Sequence, residues 1–291
     1  MNISPHICPP QVLIPTRSSL SDAAEGQTAH LIRIANSAPE LLLVFRLLYQ
    51  EYLRAGYARR NPAGMLFSRH HLLPETAVFL VRSSQDILST AAVVRDSDDF
   101  GLPMDDVFEA ELNGLRWAGR SVVEVCALAS DRRHFSRKGT QAFTRLLFLY
   151  SLAIGVDDVC IMVNPKHVPL YRDRCGFEVM GKERHYARVN APAVALRSDL
   201  RTLRENMPPH GQTIRERAES ICRQAQCCLG TEVARRLEGA DSPDQNNPVD
   251  GRLFSILMHE CADIMREFPH RFFEHICSIH PGLAAMHPFP A

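Results

Sequence analysis

Between Val159 and Gly181 the chain reads VCIMVNPKHVPLYRDRCGFEVMG, and its chemistry centres on one phenol, Tyr171. Val159 to Val163 is a short apolar run with β-branched residues, the pattern of a strand covered on both faces. Pro165 lacks an amide hydrogen and suits the first turn of a helix. Lys166 to Arg174 should then form a short helix, ended by Gly176 in the left-handed conformation of a C-cap. Tyr171 would stand beside the end of a central strand, where open α/β sheets place their chemistry. The alternative is a core tyrosine in an ordinary βαβ turn. Cys126 offers a second chemistry: a thiolate of lowered pKa can carry an acyl group covalently, whereas a buried thiol is inert. His259, Cys261, His270, His275, Cys277 and His280 crowd the C-terminus. Their spacings match no zinc pattern, and histidines on an amphipathic helical segment explain them without a metal.

The elements that must position these groups follow from periodicity. His30 to Ala35 alternates as a strand. Pro39 opens a helix with Leu42, Phe45, Leu48, Tyr49 and Tyr52 along one face. Gly56 to Pro74 is an irregular segment long enough to be a lid or binding loop. Thr76 to Arg82 and Ile87 to Arg95 read as a hairpin turning at Ser83 to Asp86. A helix over Leu102 to Trp117, a strand over Ser121 to Ala129 and an apolar helix over Gly139 to Ile154 follow. Strands over Asp157 to Val163, Phe177 to Ala187 and Val194 to Arg197 complete the sheet. Residues 1–28 read as a loose tail. After Leu200 the composition changes to charged helical stretches, Arg201 to Glu238 and Phe254 to Ile279, around a polar break at Ala240 to Asp250. The expected organisation is a tail (1–28), an α/β domain (29–200) and a helical appendage (201–291).

Composition narrows the function classes. Thirty-three basic residues balance thirty-three acidic ones, so no global field favours nucleic acid or an anionic membrane. Only three of the basic residues are lysines, and arginine suits planar recognition of phosphates and carboxylates. Nine cysteines with no CxxC pair do not form a secreted disulfide framework, and no signal peptide is visible. Charged residues interrupt the apolar run at Leu41 to Phe45 too soon for a membrane span. A cytoplasmic protein is expected.

The order of elements resembles the GNAT acyltransferase fold: a mixed central sheet flanked by helices, here with a C-terminal helical appendage. Three features carry the resemblance: the strand Val122 to Ala129 leading through Asp131-Arg132-Arg133-His134 to a helix near Gly139, Asn164 seven residues before Tyr171, and the ending Tyr171 to Phe177. Longer segments are similar to one subgroup, the long-chain N-acyl amino acid synthases, relatives of the acyl-homoserine-lactone autoinducer synthases. They are RLLYQEYLRAGYARRNPAGM (Arg46 to Met65), HLLPETAVFLV (His71 to Val81), GRSVVEVCALASDRRH (Gly119 to His134), LLFLYSLAIGVDDVCIMVNPKHVPLYRDRCGF (Leu146 to Phe177) and ERHYARVNAPAVALRSDL (Glu183 to Leu200).

The resemblance implies an enzyme that moves a long fatty acyl group from acyl carrier protein to the α-amine of an amino acid. No cofactor would be tightly bound; the donor would be an acyl-phosphopantetheine on carrier protein, or acyl-CoA. Arg133 to Thr140 would cradle the pantetheine arm on free helix-start amides, with Gly139 admitting close approach. The GNAT phosphate motif is degenerate there, with Ser136 first and Gln141 last. Arg132, Arg133, Arg137 and Lys138 would form a basic rim for an acidic carrier protein. Tyr171 would protonate the departing thiolate. Asn164 would hold a water or the pantetheine amide, or simply cap the following helix. Glu124 matches the Glu of a Glu-x-Ser-Arg pattern and would accept the ammonium proton of the acceptor. Cys126 and Ala127 stand where that pattern has Ser and Arg. The acceptor's carboxylate therefore lacks its natural partner, unless another arginine such as Arg95 substitutes. Met65, Leu66, Phe67, Leu72 and Leu73, with Phe143 and Leu147, are candidates for an acyl tunnel. Two other readings remain: an autoinducer-type lactone synthase, and a non-catalytic acyl-binding or regulatory module.

Overall fold

The computed structural model describes residues 31–83, 86–205, 249–280 and 283. The expected N-terminal tail and most of the charged stretch after Leu200 lie outside the described residues. Seven strands form one sheet: β1 (Leu31–Ile34), β2 (Ala77–Arg82), β3 (Ile87–Arg95), β4 (Val122–Ser130), β5 (Asp158–Val163), β6 (Glu178–Tyr186) and β7 (Ala191–Asp199). Their order is β1-β2-β3-β4-β5-β7-β6. Every neighbouring pair is antiparallel except β4 and β5, which run parallel.

The helices are α1 (Ala38–Arg54), α2 (Asp105–Trp117), α3 (Arg137–Ala153), α4 (Val168–Cys175), α5 (Leu200–Glu205), α6 (Gly251–Glu260), α7 (Ala262–Met265) and α8 (His270–Ile279). α3 begins two residues before Gly139 because Ser136 caps it, its hydroxyl accepting from the Gly139 amide at 3.0 Å. The C-terminal aromatic stretch, expected as one helical run, is broken at Cys261 and again at Pro269, which has no amide to continue a helix.

Strand alternation sends side chains into two layers. Phe79, Val93, Val123 and Ile161 meet α3, α4 and α5 on one face. On the other face Val94, Val122 and Cys160 meet α2, while Val78 and Leu80 lie under α1 and α6 to α8. The long loop keeps its apolar residues inside: Met65, Phe67, Leu72 and Leu73 are buried, with Phe67 stacked on Phe45 and set edge-on against Phe268. The candidate tunnel residues therefore belong to two separate cores. The loop set packs beneath α1 and the C-terminal helices, whereas Phe143 and Leu147 lie across the sheet.

Candidate active site

The site is organised by the way β4 and β5 part. Their ladder spans three residue pairs, Val122 with Asp158, Val123 with Val159 and Glu124 with Cys160, and does not continue beyond them. The closed end is clamped by Asp158, fully buried and bound by Arg120 and Arg197, with Asp199 completing the network. Towards the open end β4 bulges. Thr90 pairs with Ala129 and Ala92 with Cys126, so β4 carries one extra residue, and Ala127 adopts φ +53°. A left-handed alanine in a strand stores strain of the kind found beside functional sites. Past Glu124, β4 thus faces an open wedge with backbone that β5 does not pair.

Glu124 sits at the apex of this wedge and is fully buried. Its Oε2 accepts the Met104 amide at the start of α2 at 2.7 Å, while Oε1 is buried with no hydrogen-bond partner. Burial pushes its pKa up to about 8; the Met104 amide opposes this, and Asp105 and Asp106 add to it. The carboxyl therefore titrates close to the range of an α-amine. Around it stand Tyr52 of α1, Cys126 and Tyr186 of β6, each within electrostatic reach of Glu124. Cys126 is pushed well above an ordinary thiol by burial and by Glu124, which removes the thiolate a covalent acyl intermediate needs.

Tyr171 lies on the other face of the sheet. Its ring meets Phe177 edge-on at 5.8 Å, and burial, then Cys175, raises its pKa, so the phenol keeps its proton. Gly176 at φ +69° ends α4, its amide bonding back to the Tyr171 carbonyl. Asn164 caps the turn Pro165–His167, its side chain accepting from the Lys166 amide at 3.2 Å. The capping alternative is thus the contact that the structure contains.

The turn before α3 is held by Asp131. It accepts from the Arg133 amide and Nε at 3.0 and 3.1 Å and meets His134 Nδ1 at 2.9 Å; Arg133 foremost holds its carboxyl far below the usual range. Arg132, Arg137 and Lys138 are exposed, whereas Arg133, also exposed, is tied to Asp131. Gly139 owes its lack of a side chain to Phe135: a Cβ there would lie 2.9 Å from the ring. The half-exposed Thr140 bonds back along its own helix, its hydroxyl donating to the Ser136 carbonyl at 3.3 Å.

Arg95 does not replace the arginine missing at position 127. It is exposed at the end of β3, paired with Val123, and so points to the face away from Glu124. Arg188 pairs with Asp106 of α2, and Arg69 lies within electrostatic reach of both; the motif reading named neither arginine. Nothing in their local sequence marks them; only the fold brings them near Tyr186. Among the described residues no three His, Cys, Asp or Glu side chains gather as metal ligands, and no helix is long and apolar enough to cross a membrane.

A family model for the N-acyl amino acid synthase FeeM matches residues 43–199, more than half of the chain. The solved structure of FeeM, an N-acyl amino acid synthase from uncultured soil microbes, aligns at 25% identity over 62% of this chain and 97% of that one, with a TM-score of 0.55. The CoA-dependent acyl-homoserine lactone synthase BjaI aligns at 17% identity over 72% of this chain and 98% of its own, with a TM-score of 0.46. An aminoglycoside N(6')-acetyltransferase from Legionella pneumophila aligns at 14% identity over 63% and 99%, with a TM-score of 0.39. No curated protein sequence gives a significant match. An acyltransferase of GNAT-like fold, the chain belongs to the FeeM family of N-acyl amino acid synthases.

Proposed function

We propose that this protein transfers a long-chain fatty acyl group from acyl carrier protein, in the cytoplasm, to the α-amine of an amino acid. The observation that carries the reading is Glu124: a buried carboxyl with one unpaired oxygen, poised to titrate near an amine, at the apex of the β4–β5 wedge. A thioester lying in the wedge would be approached by Glu124 from one face of the sheet and by Tyr171 from the other.

The reaction follows from those positions. Glu124 Oε1 accepts a proton from the acceptor's ammonium group, and the freed amine attacks the thioester carbonyl carbon. Amides of β4 beyond Glu124 are available to the developing oxyanion. The C–S bond then breaks, the attacking nitrogen releases its second proton to water, and the Tyr171 phenol gives its proton to the thiolate before regaining one from solvent. Asn164 supports this step indirectly, by capping the turn that leads into the helix bearing Tyr171. The exposed Arg132, Arg137 and Lys138, with Arg133 tied to Asp131, form a rim for the acidic carrier protein, and Gly139 and Thr140 line the pantetheine entrance.

The test is mass spectrometry of lipid extracts from a host expressing the protein, beside one expressing Tyr171→Phe. An acyl amino acid made by the unmodified chain and reduced in the variant is the expected result. A lactone, or no new lipid from folded protein, overturns the assignment.

A further inference from the structure

The stretch of β4 that β5 leaves unpaired ends at Ser130, and the turn into α3 follows at once, so this turn stands at the mouth of the wedge. A thioester entering the wedge brings the rest of its donor past that turn. Acyl-CoA would bring a diphosphate. A helix start holds such a group with amides that lack partners, a glycine that lets the backbone come close, and a guanidinium free to pair. Here the chain itself takes up all three.

The amides are engaged from both ends of the turn. Asp131 Oδ1 accepts from the Arg133 amide at 3.0 Å, and the Asp131 carbonyl accepts from the amides of His134 and Phe135 at 3.1 and 2.8 Å. The Ser136 hydroxyl accepts from the Gly139 amide at 3.0 Å. The open side of Gly139 is filled by the buried Phe135 ring, 2.9 Å from where a Cβ would stand. The Arg133 guanidinium is folded back: its Nε and Nη2 donate to the two carboxylate oxygens of Asp131 at 3.1 and 3.2 Å, with His134 Nδ1 against one of them at 2.9 Å. Asp131 is anchored in turn, its amide donating to the Leu88 carbonyl of β3 at 2.9 Å, and only 14% of its side chain is exposed. A fixed carboxylate is thus held among the groups that a diphosphate would need, and a like charge set there works against the second anion.

A carrier-protein donor asks less of this turn. Its phosphopantetheine ends in a single phosphodiester, and the exposed Arg132, Arg137 and Lys138 face the carrier's own acidic surface. We propose that Asp131 is the donor-specificity residue: by engaging the Arg133 guanidinium and the amides of the turn, it withholds them from the diphosphate of acyl-CoA and leaves the carrier-bound thioester as the working donor. This rests on the acyl-transfer reading above and names the residue that decides its donor.

The test uses the full chain, the amino acid identified by mass spectrometry, and one long acyl chain carried on carrier protein, on CoA, or on pantetheine, which ends before the first phosphate. In the unmodified enzyme acyl-CoA should do no better in kcat/KM than acyl-pantetheine, and free CoA should not compete with the carrier donor. Asp131→Asn keeps an acceptor for the Arg133 amide and releases the guanidinium. It should raise kcat/KM for acyl-CoA relative to acyl-pantetheine by about 10-fold or more, the size of one charge-assisted hydrogen bond, and through KM. Adding Arg133→Gln should abolish that gain. If Asp131 only holds the turn in shape, the single variant lowers all three donors together. That outcome, an unchanged ratio of acyl-CoA to acyl-pantetheine, or competition by CoA in the unmodified enzyme overturns this assignment while carrier-dependent synthesis stands. The competition measurement needs no variant, so it decides even where Asp131→Asn fails to fold. No acyl amino acid from the carrier donor overturns the proposed function itself.

Discussion

Glu124→Gln separates chemistry from stability, because the same burial that tunes the base also taxes the fold. Between its ordinary pKa of 4.5 and the folded value of about 8, Glu124 holds a proton in the folded chain that it loses on unfolding. The folded state binds more protons in that window, so stability falls as pH rises through it and the full loss is present above about 8. That interval corresponds to roughly 5 kcal/mol as an upper figure, which relaxation and water entry reduce to a few. Gln cannot ionise. It keeps an acceptor for the Met104 amide but places an amide donor where Oε1 has no partner, a pH-independent cost of about 1–3 kcal/mol. The variant should therefore be less stable than the unmodified chain near pH 5 and gain on it steadily towards pH 8.5. At about 2–4 °C per kcal/mol for a chain of this size, the difference in Tm should move by on the order of 10 °C. Acylation should meanwhile fall by at least about 10²-fold throughout. Thermal unfolding by circular dichroism from pH 5 to 9, with rates on the same samples, reads both effects. Parallel Tm curves for the two proteins would refute the argument that Glu124 is protonated by its burial.

Tyr171→Phe should lower kcat by about 10²-fold or more with natural donors. It should lower kcat much less with an aryl thioester, whose acidic thiol leaves without a proton; an equal loss with both donors would show that the phenol only packs. Gly139→Ala drives a methyl against the Phe135 ring and should cost about 1–3 kcal/mol of stability, read as a lowered denaturant midpoint. A rim that steers carrier protein should give a donor KM that rises with salt, and reversing Arg137 and Lys138 to Glu should weaken that dependence. A flat salt response would remove the rim from the docking argument.

Much of the scaffold could be read from the chain because its signals are local. Asn164-Pro165 announced a cap, Gly176 a helix end, and the alternation of Thr76 to Arg95 a hairpin; each depends on neighbours within a turn or two. Glu124 was found through its place in a longer pattern. Its protonation was not legible, since it comes first from burial that only the fold creates, and the pressing carboxylates Asp105 and Asp106 lie about twenty residues away. The loop apolars were read as tunnel wall because a sequence shows that Met65 and Phe67 avoid water but not what covers them. The cover is Phe268 and its helices, some two hundred residues on.

The short β4–β5 ladder has a mechanical consequence. Most sheets transmit load across a continuous run of hydrogen bonds, but here four strands on one side and three on the other are joined through three residue pairs and the buried Asp158. The two blocks meet like the arms of a pair of tongs, with that aspartate at the joint. Spreading the tips would break no ladder hydrogen bond, so resistance there would come from side chains packed across the joint, while the ion pairs of Asp158 hold the closed end.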